Sequence, residues 1–221
     1  MNAKQAAAFK AVEYVKNGMI IGLGTGSTAY WAIQYIGEKV KNGLQITAVA
    51  TSAETERIAR ECGIHVVPLD EVGDIDIDID GADEIDGEKN LIKGGGGALL
   101  REKIVASVSK EFIVIAGKNK KVSSLGKFPL PVEVLTFGWQ HTARQIEALG
   151  CQTSIRKKGA DIFVTDNGNY IIDCHFDKIE HPGVLEQKIN NIPGVVDNGL
   201  FVKMATRVIL GDDDGTTEEL G

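Results

Sequence analysis

The sequence has few cysteines and no long apolar run, and both shortages exclude classes of protein. Its three cysteines, Cys62, Cys151 and Cys174, are widely separated, odd in number and free of CxxC spacing. We therefore expect no disulfide scaffold and no cysteine-based metal site, and we interpret all three as reduced thiols of a cytoplasmic protein. No apolar run approaches the roughly 20 residues of a membrane-spanning helix. The charged N-terminal segment indicates an amphipathic helix rather than a signal peptide.

Positive charge is also scarce. The chain has 24 Lys and Arg against 31 Asp and Glu, so its formal net charge is −7. An acidic chain is a poor binder of phosphodiester backbones and of anionic membrane surfaces. We therefore expect neither nucleic acid nor membrane as a partner.

Several familiar site motifs are missing. The four histidines share no close spacing and form no HExxH pattern, and no Ser–His–Asp or Cys–His set can be assembled, so we expect no metal site and no such nucleophile. No GK[ST] follows the first glycine-rich loop, which excludes a Walker motif. The second predicted strand ends in Thr51–Ser52 rather than in the acid that a dinucleotide site requires, which disfavours a nicotinamide cofactor.

Strand and helix signals alternate through the first half of the chain. Apolar strand patterns at 19–23, 45–50, 75–79 and 112–116 are separated by helical patterns with short connections. This alternation predicts a Rossmann-like α/β domain with a parallel sheet. A polar cluster follows each strand, and we expect these clusters at one edge of the sheet, where ligands bind. They are GTGST (24–28), TS (51–52), DGAD (80–83) and GKNKK (117–121).

The pattern changes near KFPLPVEV (127–134), where two prolines indicate a boundary. Short strands, two helical patterns and a hairpin signal around 166–169 predict a small α+β domain of the ferredoxin-like plait type. The apolar segment 199–211 then predicts a return to the first sheet. We expect a discontinuous first domain, 1–128 plus 203–221, with 129–202 as the small domain. The acidic tail is expected to be a solvated end.

The loop GLGTGSTA (22–29) lies between a predicted strand and a predicted helix. Its glycines allow backbone N–H groups to approach a ligand, and the N-terminus of the next helix favours an anion. Ser27 and Thr28 add hydroxyl donors. The pattern favours a phosphate cradle over a simple tight turn with a helix cap.

The stretch KGGGGALLREK (93–103) has four successive glycines between Lys93 and Glu102. Such a run loses much conformational entropy on folding, and its use is close approach of backbone to a ligand. Spacing alone does not decide whether Glu102 is a catalytic group or a solvated charge on the helix. It also does not decide whether Lys120, in the basic loop, is a surface lysine or a phosphate contact.

The segment DIDIDIDGADEID (74–86) is acidic at seven of its thirteen positions. Its first half resembles a calcium loop, but Gly87 stands where that loop needs a glutamate, and the isoleucine alternation indicates a strand. Asp74, Asp76 and Asp78 on one face favour an edge-like strand or a carboxylate-lined groove. Asp80 and Asp83 are expected past the end of the strand, in the turn.

Taken together, GLGTGSTA, Thr51–Ser52, DGADEID, KGGGGALLREK and GKFPLPVEV resemble, in order and spacing, ribose-5-phosphate isomerases of the A type. The resemblance covers nearly the whole chain. Two positions depart from the pattern, Gly97 where alanine is common and Leu100 where threonine is common, and neither is a group with an assigned chemical role.

The resemblance implies interconversion of ribose 5-phosphate and ribulose 5-phosphate without organic cofactor or metal, by a homodimer or homotetramer. It implies Glu102 as the base. Beside it the catalytic group would include Asp80, Asp83 and Lys93. Substrate contacts are implied for Thr25, Gly26, Ser27, Thr28, Asp80, Gly81, Ala82, Asp83, Lys93, Gly94, Gly95, Gly96 and Lys120. The alternatives are a non-catalytic sugar-phosphate sensor and a CoA-transferase-like enzyme with a glutamate nucleophile. The DGAD and KGGG pairing and the small domain favour the isomerase.

Overall fold

The computed structural model describes residues 1–220. The helices are α1 (Ala3–Val12), α2 (Ala29–Lys41), α3 (Ala53–Glu61), α4 (Leu99–Ser107), α5 (Trp139–Glu147) and α6 (Pro182–Asn190), with short 3-10 turns at Leu69–Glu71 and Lys118–Lys120. The strands are β1 (Ile20–Leu23), β2 (Thr47–Ala50), β3 (Ile75–Gly81), β4 (Glu84–Ile85), β5 (Leu91–Ile92), β6 (Ser109–Gly117), β7 (Leu130–Val134), β8 (Gln152–Ile155), β9 (Lys157–Lys158), β10 (Asp161–Ile162), β11 (Tyr170–His175), β12 (Val195–Asn198), β13 (Leu200–Phe201), β14 (Arg207–Gly211) and β15 (Thr217–Leu220). Within 1–220, no helix is both long enough and apolar enough to cross a bilayer.

The chain folds into two compact units. The first is Met1–Ala82, Arg101–Lys121 and Lys203–Gly221, and the second is Asp83–Leu100 and Val122–Val202. Compared with the predicted division, 83–100 and 122–128 pack with the second unit instead of the first. The physical reason is strand pairing, because β5 pairs with both β4 and the distant β13 in a three-stranded sheet.

The first unit is built on a six-stranded sheet in the order β15–β14–β6–β3–β1–β2. All its pairings are parallel except that of β15 with β14. Isoleucine, valine and alanine side chains from the strands, α1, α2 and α3 form one core cluster. The short apolar segment HVVPL (65–69) joins the sheet only through a single bridge between Val66 and Ala48. The parallel α/β architecture predicted for this part of the chain is confirmed.

The acidic strand β3 lies in the middle of this sheet, between β1 and β6, so the expectation of an edge-like strand was wrong. Asp78 is fully buried, although a central parallel strand is usually apolar on both faces. Space for it comes from the neighbouring strand, because a Cβ at Gly22 would lie 2.5 Å from Asp78 Oδ1. The buried carboxylates of Asp78 and Asp80 therefore pack against Gly22 and Gly24 instead of lining a groove.

Asp76 is the partly exposed carboxylate of this strand, and it anchors the start of β1. Its Oδ2 accepts the Ile20 N–H at 2.9 Å, and its Oδ1 accepts from Lys110 Nζ at 2.8 Å. The hydrogen bond from Lys110, followed by that from the Ile20 backbone, lowers the pKa of Asp76 below its usual 3.8. Stability from this depressed pKa is present above pH 3.8 and is lost as the pH falls through the folded-state value.

Asp76→Asn is therefore expected to destabilise the protein by about 1 kcal/mol at pH 7, since the pair is partly screened by solvent. The difference from wild type should shrink below pH 3.8, as the pH falls toward the lowered pKa of Asp76 in the folded protein. Urea unfolding at pH 7 and pH 3 measures both values, with the exposed Asp74→Asn as the control. An equal difference at both pH values would contradict the role of the ionised carboxylate.

The second unit contains a four-stranded antiparallel sheet in the order β12–β7–β11–β8. With α5 between β7 and β8 and α6 between β11 and β12, this is the βαββαβ arrangement of a ferredoxin-like plait. The hairpin predicted around 166–169 was wrong. A tight turn is present there, but β11 pairs with β7 and β8, and the local hairpin is instead β9–β10, which turns at Gly159 with φ +66°.

Candidate active site

The loop that follows β1 has the form of an anion-binding turn. The Gly24 N–H donates to Ile79 O at 3.0 Å, which ties the loop to β3, and Gly26 has a φ of +110° that favours glycine. The helix α2 begins directly after it, and its cap residue Thr28 makes no side-chain capping bond. Exposed Gly26 and Ser27 thus lie beside the positive end of a 13-residue helix.

A cation that the sequence did not reveal lies at this loop. Lys4 Nζ donates to Ser27 Oγ at 2.8 Å from the first turn of α1. In the sequence Lys4 is one of several exposed charges on an amphipathic helix, so no local signal marks it. It becomes a site candidate only because α1 packs across β6 and β14 of the same unit.

A cluster of hydroxyl groups holds the loop after β1 in place. Thr25 Oγ1 lies 2.8 Å from Thr51 Oγ1, 2.9 Å from Ser52 Oγ and 3.1 Å from Thr55 Oγ1. Thr51 and Thr55 in turn donate to the carbonyl groups of Leu23 and Gly24, at 3.0 and 2.9 Å. These hydrogen bonds hold Thr25 in one position, which explains why the second strand ends in hydroxyl residues and not in an acid.

Asp80 belongs to β3 and is fully buried, so its predicted placement in the turn was wrong. Its Oδ1 accepts the N–H groups of Thr25 at 3.0 Å and Gly81 at 2.6 Å. A Cβ at Gly24 would overlap the Asp80 carboxylate, so glycine is needed there. The strand is longer than predicted because Asp80 and Gly81 still pair with β6. Ala82, half-buried, ends the segment.

Glu102 lies in the first turn of α4 and is only 3% exposed. The alternative of a solvated helix charge is therefore excluded. Burying a carboxylate costs free energy, and proteins place acid–base groups in such environments.

The glycine run belongs to the second unit, where its backbone is fixed by specific contacts. The Gly95 N–H donates to Asp83 Oδ2 at 2.8 Å, and the Gly97 N–H donates to Gly94 O at 3.0 Å. Gly94 and Gly97 have φ of +96° and +86°, and a Cβ at Gly97 would lie 2.5 Å from the ring of Phe163. Asp83 and the glycine run are thus joined directly by a hydrogen bond, and Gly96 follows Gly95 in the stretch that leads into α4.

Lys93 precedes the run and is 2% exposed. Its N–H donates to Gly199 O at 2.8 Å, and its Nζ lies 5.3 Å from the centre of the Phe201 ring. A cation over an aromatic face is stabilised electrostatically by the ring. Lys93 is therefore no surface lysine.

Lys120 ends the 3-10 turn that follows β6 and is half-buried. Its neighbours are held by the C-terminal segment, since Lys118 pairs with Asp212 at 3.2 Å and Lys121 with Glu218 at 2.8 Å. The acidic tail is largely exposed, as expected, but it is not a free end, because β15 pairs with β14 and its glutamates form ion pairs with basic side chains.

Within residues 1–220, no group of three or more His, Cys, Asp or Glu side chains is arranged to hold a metal ion. The aspartates of the calcium-like segment are spread along β3 and not gathered around one point.

Comparison with known proteins gives the family. The sequence model of the family ribose 5-phosphate isomerase A (phosphoriboisomerase A) matches residues 47–215. The chain is 52% identical over 219 residues to ribose-5-phosphate isomerase A of Bacillus mycoides, covering 99% of both chains. The chain belongs to the ribose-5-phosphate isomerase A family. The resemblance stated from the sequence motifs is confirmed.

Solved structures of the family share the whole fold. The isomerase of Methanocaldococcus jannaschii is 42% identical with a TM-score of 0.93, and the match covers 98% of this chain and 97% of that one. The isomerase of Plasmodium falciparum is 41% identical with a TM-score of 0.95, over 99% and 97%. A further D-ribose-5-phosphate isomerase, solved with phospho-erythronic acid, is 39% identical with a TM-score of 0.95, over 100% and 99%.

The residues implied by the isomerase A resemblance divide between the two units. Thr25, Gly26, Ser27, Thr28, Asp80, Gly81, Ala82, Glu102 and Lys120 lie in the first unit, and Asp83, Lys93, Gly94, Gly95 and Gly96 lie in the second. Within the first, Thr25 and Asp80 are directly hydrogen-bonded. Within the second, Asp83 and Gly95 are directly hydrogen-bonded.

Proposed function

We propose that this chain interconverts ribose 5-phosphate and ribulose 5-phosphate through an enediol, with Glu102 as the single carboxylate base. The observation that carries the assignment is the burial of Glu102, 3% exposed on the helix that follows the glycine run, in a member of the isomerase A family. Family membership makes the reaction an aldose–ketose isomerisation.

The reaction moves one carbon-bound proton. Glu102 takes the proton from C2, the C2–H electron pair forms the C1–C2 double bond, and the C1 oxygen gains a proton. The same carboxyl then returns a proton to C1 while the C2 hydroxyl loses its proton and becomes the carbonyl. Lys93 and the N–H groups of the glycine run stabilise negative charge on the two oxygens. Asp83 holds a sugar hydroxyl, and both Asp80 and Asp83 assist ring opening.

The phosphate group anchors the substrate at the loop after β1. Ser27, Thr28 and the first N–H groups of α2 supply donors, while Lys4 and Lys120 supply positive charge. Binding energy at the phosphate, remote from the reacting carbons, positions C1 and C2 for proton transfer. Asp80 contributes to this anchor through its bond from the Thr25 N–H.

Lys4→Met is expected to raise KM for ribose 5-phosphate about 10-fold with little change in kcat, since a charge-assisted hydrogen bond is worth about 1.5–3 kcal/mol. Inhibition by inorganic phosphate should weaken in parallel. Lys10→Met is the matched control, because Lys10 lies on the same helix and pairs with Glu13 on the surface. An unchanged KM and an unchanged phosphate inhibition constant would remove Lys4 from the anchor.

The direct test mixes the protein with ribose 5-phosphate and follows ketose formation, with and without a chelator. We expect conversion that the chelator does not reduce. A sugar-phosphate sensor would bind without conversion, and a CoA-transferase would need a thioester substrate. Absence of conversion would overturn the proposed function.

We also infer that the enzyme works in the cytoplasm as a homodimer or homotetramer, as the family resemblance implies. The three cysteines are free thiols, in keeping with a reducing compartment. Light scattering should give a mass of two or four times the 23.7 kDa of the chain.

A further inference from the structure

The glycine run is held by an ion pair that the sequence motifs do not include. Arg156, directly after β8, donates from Nη1 to Gly94 O at 2.7 Å and to Gly95 O at 3.2 Å. Its Nε donates to Asp173 Oδ2 at 3.0 Å, and its Nη2 donates to Asp173 Oδ1. The two side chains are only 14% and 18% exposed, so the pair is shielded from solvent.

We propose that Arg156, fixed by Asp173, is a positioning residue for the isomerisation. It sets the backbone of Gly94–Gly96 and, through the Gly95 N–H, the carboxylate of Asp83. This inference rests on the proposed function, in which the glycine N–H groups and Asp83 meet the sugar. Arg156 itself acts only through these groups.

The geometry of one peptide unit carries the coupling. The peptide between Gly94 and Gly95 accepts from Arg156 at its oxygen and donates from its N–H to Asp83 Oδ2. In a trans peptide the C=O and N–H point in opposite directions, so Arg156 and Asp83 lie at the two ends of one dipole. A guanidinium at the oxygen polarises the peptide and strengthens the bond from its N–H. The peptide between Gly95 and Gly96 receives the same contact at its oxygen.

The chemistry of this position favours arginine. The planar guanidinium presents two N–H groups to Asp173 and keeps a third for the carbonyl groups, which a lysine ammonium cannot reproduce in one plane. Strand pairing pre-sets this arrangement, because Ile155 and Ile172, the residues just before Arg156 and Asp173, are partners in the β8–β11 ladder. A run of glycines has little conformational preference of its own, so an external clamp is what confines it.

The test compares Arg156→Met and Arg156→Lys with wild type in kcat, KM and unfolding midpoint. We expect kcat to fall about 100-fold in Arg156→Met, the scale of a 1 Å misplacement near reacting groups, while KM changes less than about threefold because the phosphate anchor is intact. Arg156→Lys should lie between the two. Arg207→Met is the matched control, since it removes another partly buried ion pair, with Glu219, and should keep kcat.

A double variant separates positioning from simple stability. Arg156→Met/Asp173→Asn also removes the carboxylate that the single variant leaves without its cation, and it should recover the unfolding midpoint but not kcat. Amide hydrogen exchange of Gly95, whose N–H donates to Asp83, should be faster in both variants. Recovery of kcat in the double variant, kcat within twofold of wild type in Arg156→Met, or unchanged amide exchange would each overturn the inference. Failure of wild-type turnover would instead overturn the proposed function, and the exchange measurement would still test the clamp.

Discussion

Glu102→Gln is expected to lower kcat by about 10³- to 10⁴-fold, at the upper end of what one general acid–base group contributes, because a carboxamide cannot accept the C2 proton. The substitution is nearly isosteric at a site only 3% exposed, so packing is kept and the unfolding midpoint should stay close to wild type. KM should also change little, since the phosphate loop is untouched. Steady-state kinetics with ribose 5-phosphate and thermal unfolding measure all three quantities.

Glu133→Gln is the matched control for this prediction. Glu133 is a fully buried glutamate outside the proposed site, and its Oε1 accepts hydrogen bonds from Thr165, Asn167 and Asn169. A glutamine keeps that acceptor, so kcat should remain near wild type. Near-full turnover by Glu102→Gln would show that another group is the base, whereas equal losses in both variants would point to general damage to the fold.

Gly24→Ala is expected to destabilise the protein by about 3 kcal/mol or more, at the upper end of the cost of overpacking, and to abolish measurable turnover. A Cβ at this position would overlap the fully buried Asp80 carboxylate, which would then lose its bond from the Thr25 N–H. Both the sheet core and the phosphate loop would be disturbed. Urea unfolding and steady-state kinetics test the two effects together.

Two further variants test the contact between Gly24 and Asp80 even if Gly24→Ala folds poorly. Gly24→Ala/Asp80→Gly removes the overlapping side chain and should recover part of the stability without recovering turnover. Gly73→Ala is the control, because a Cβ there meets nothing within 4 Å, and it should be neutral or slightly stabilising. Wild-type stability in Gly24→Ala would mean that Asp80 is not held against Gly24.

The parallel sheet was predictable because its signal is local. Apolar runs, glycine turns and helical patterns follow one another along the chain, and Ser52 caps α3 by accepting the Thr55 N–H. The burial of Asp78 was not predictable, because the space for it comes from Gly22 on another strand. The assignment of β5 to the second unit likewise depends on pairing with the distant β13.

Some parts of the candidate site were likewise predictable from local sequence signals, and others depend on contacts made only in the folded chain. The loop after β1 and the glycine run were predicted from composition, and Glu102 from the family resemblance. Spacing alone could not decide Glu102, since burial of one helix face depends on what packs against it. Lys4 and Arg156 belong to no recognisable sequence motif. Only the folded chain brings Lys4 to Ser27 and Arg156 to Gly94.

The fate of the C2 hydrogen tests most directly whether the Glu102 carboxylate transfers a proton through an enediol. Ribose 5-phosphate labelled with deuterium at C2 is converted in ordinary water, and the ketose is analysed by mass spectrometry and NMR. Proton transfer by one carboxylate predicts that part of the label is lost to solvent from the Glu102 carboxyl group and that the rest appears at C1. Neither the unlabelled nor the C1-labelled ketose should be formed by Glu102→Gln. Complete transfer of the label to C1, undiminished in Glu102→Gln, would indicate a hydride shift and would contradict the enediol mechanism.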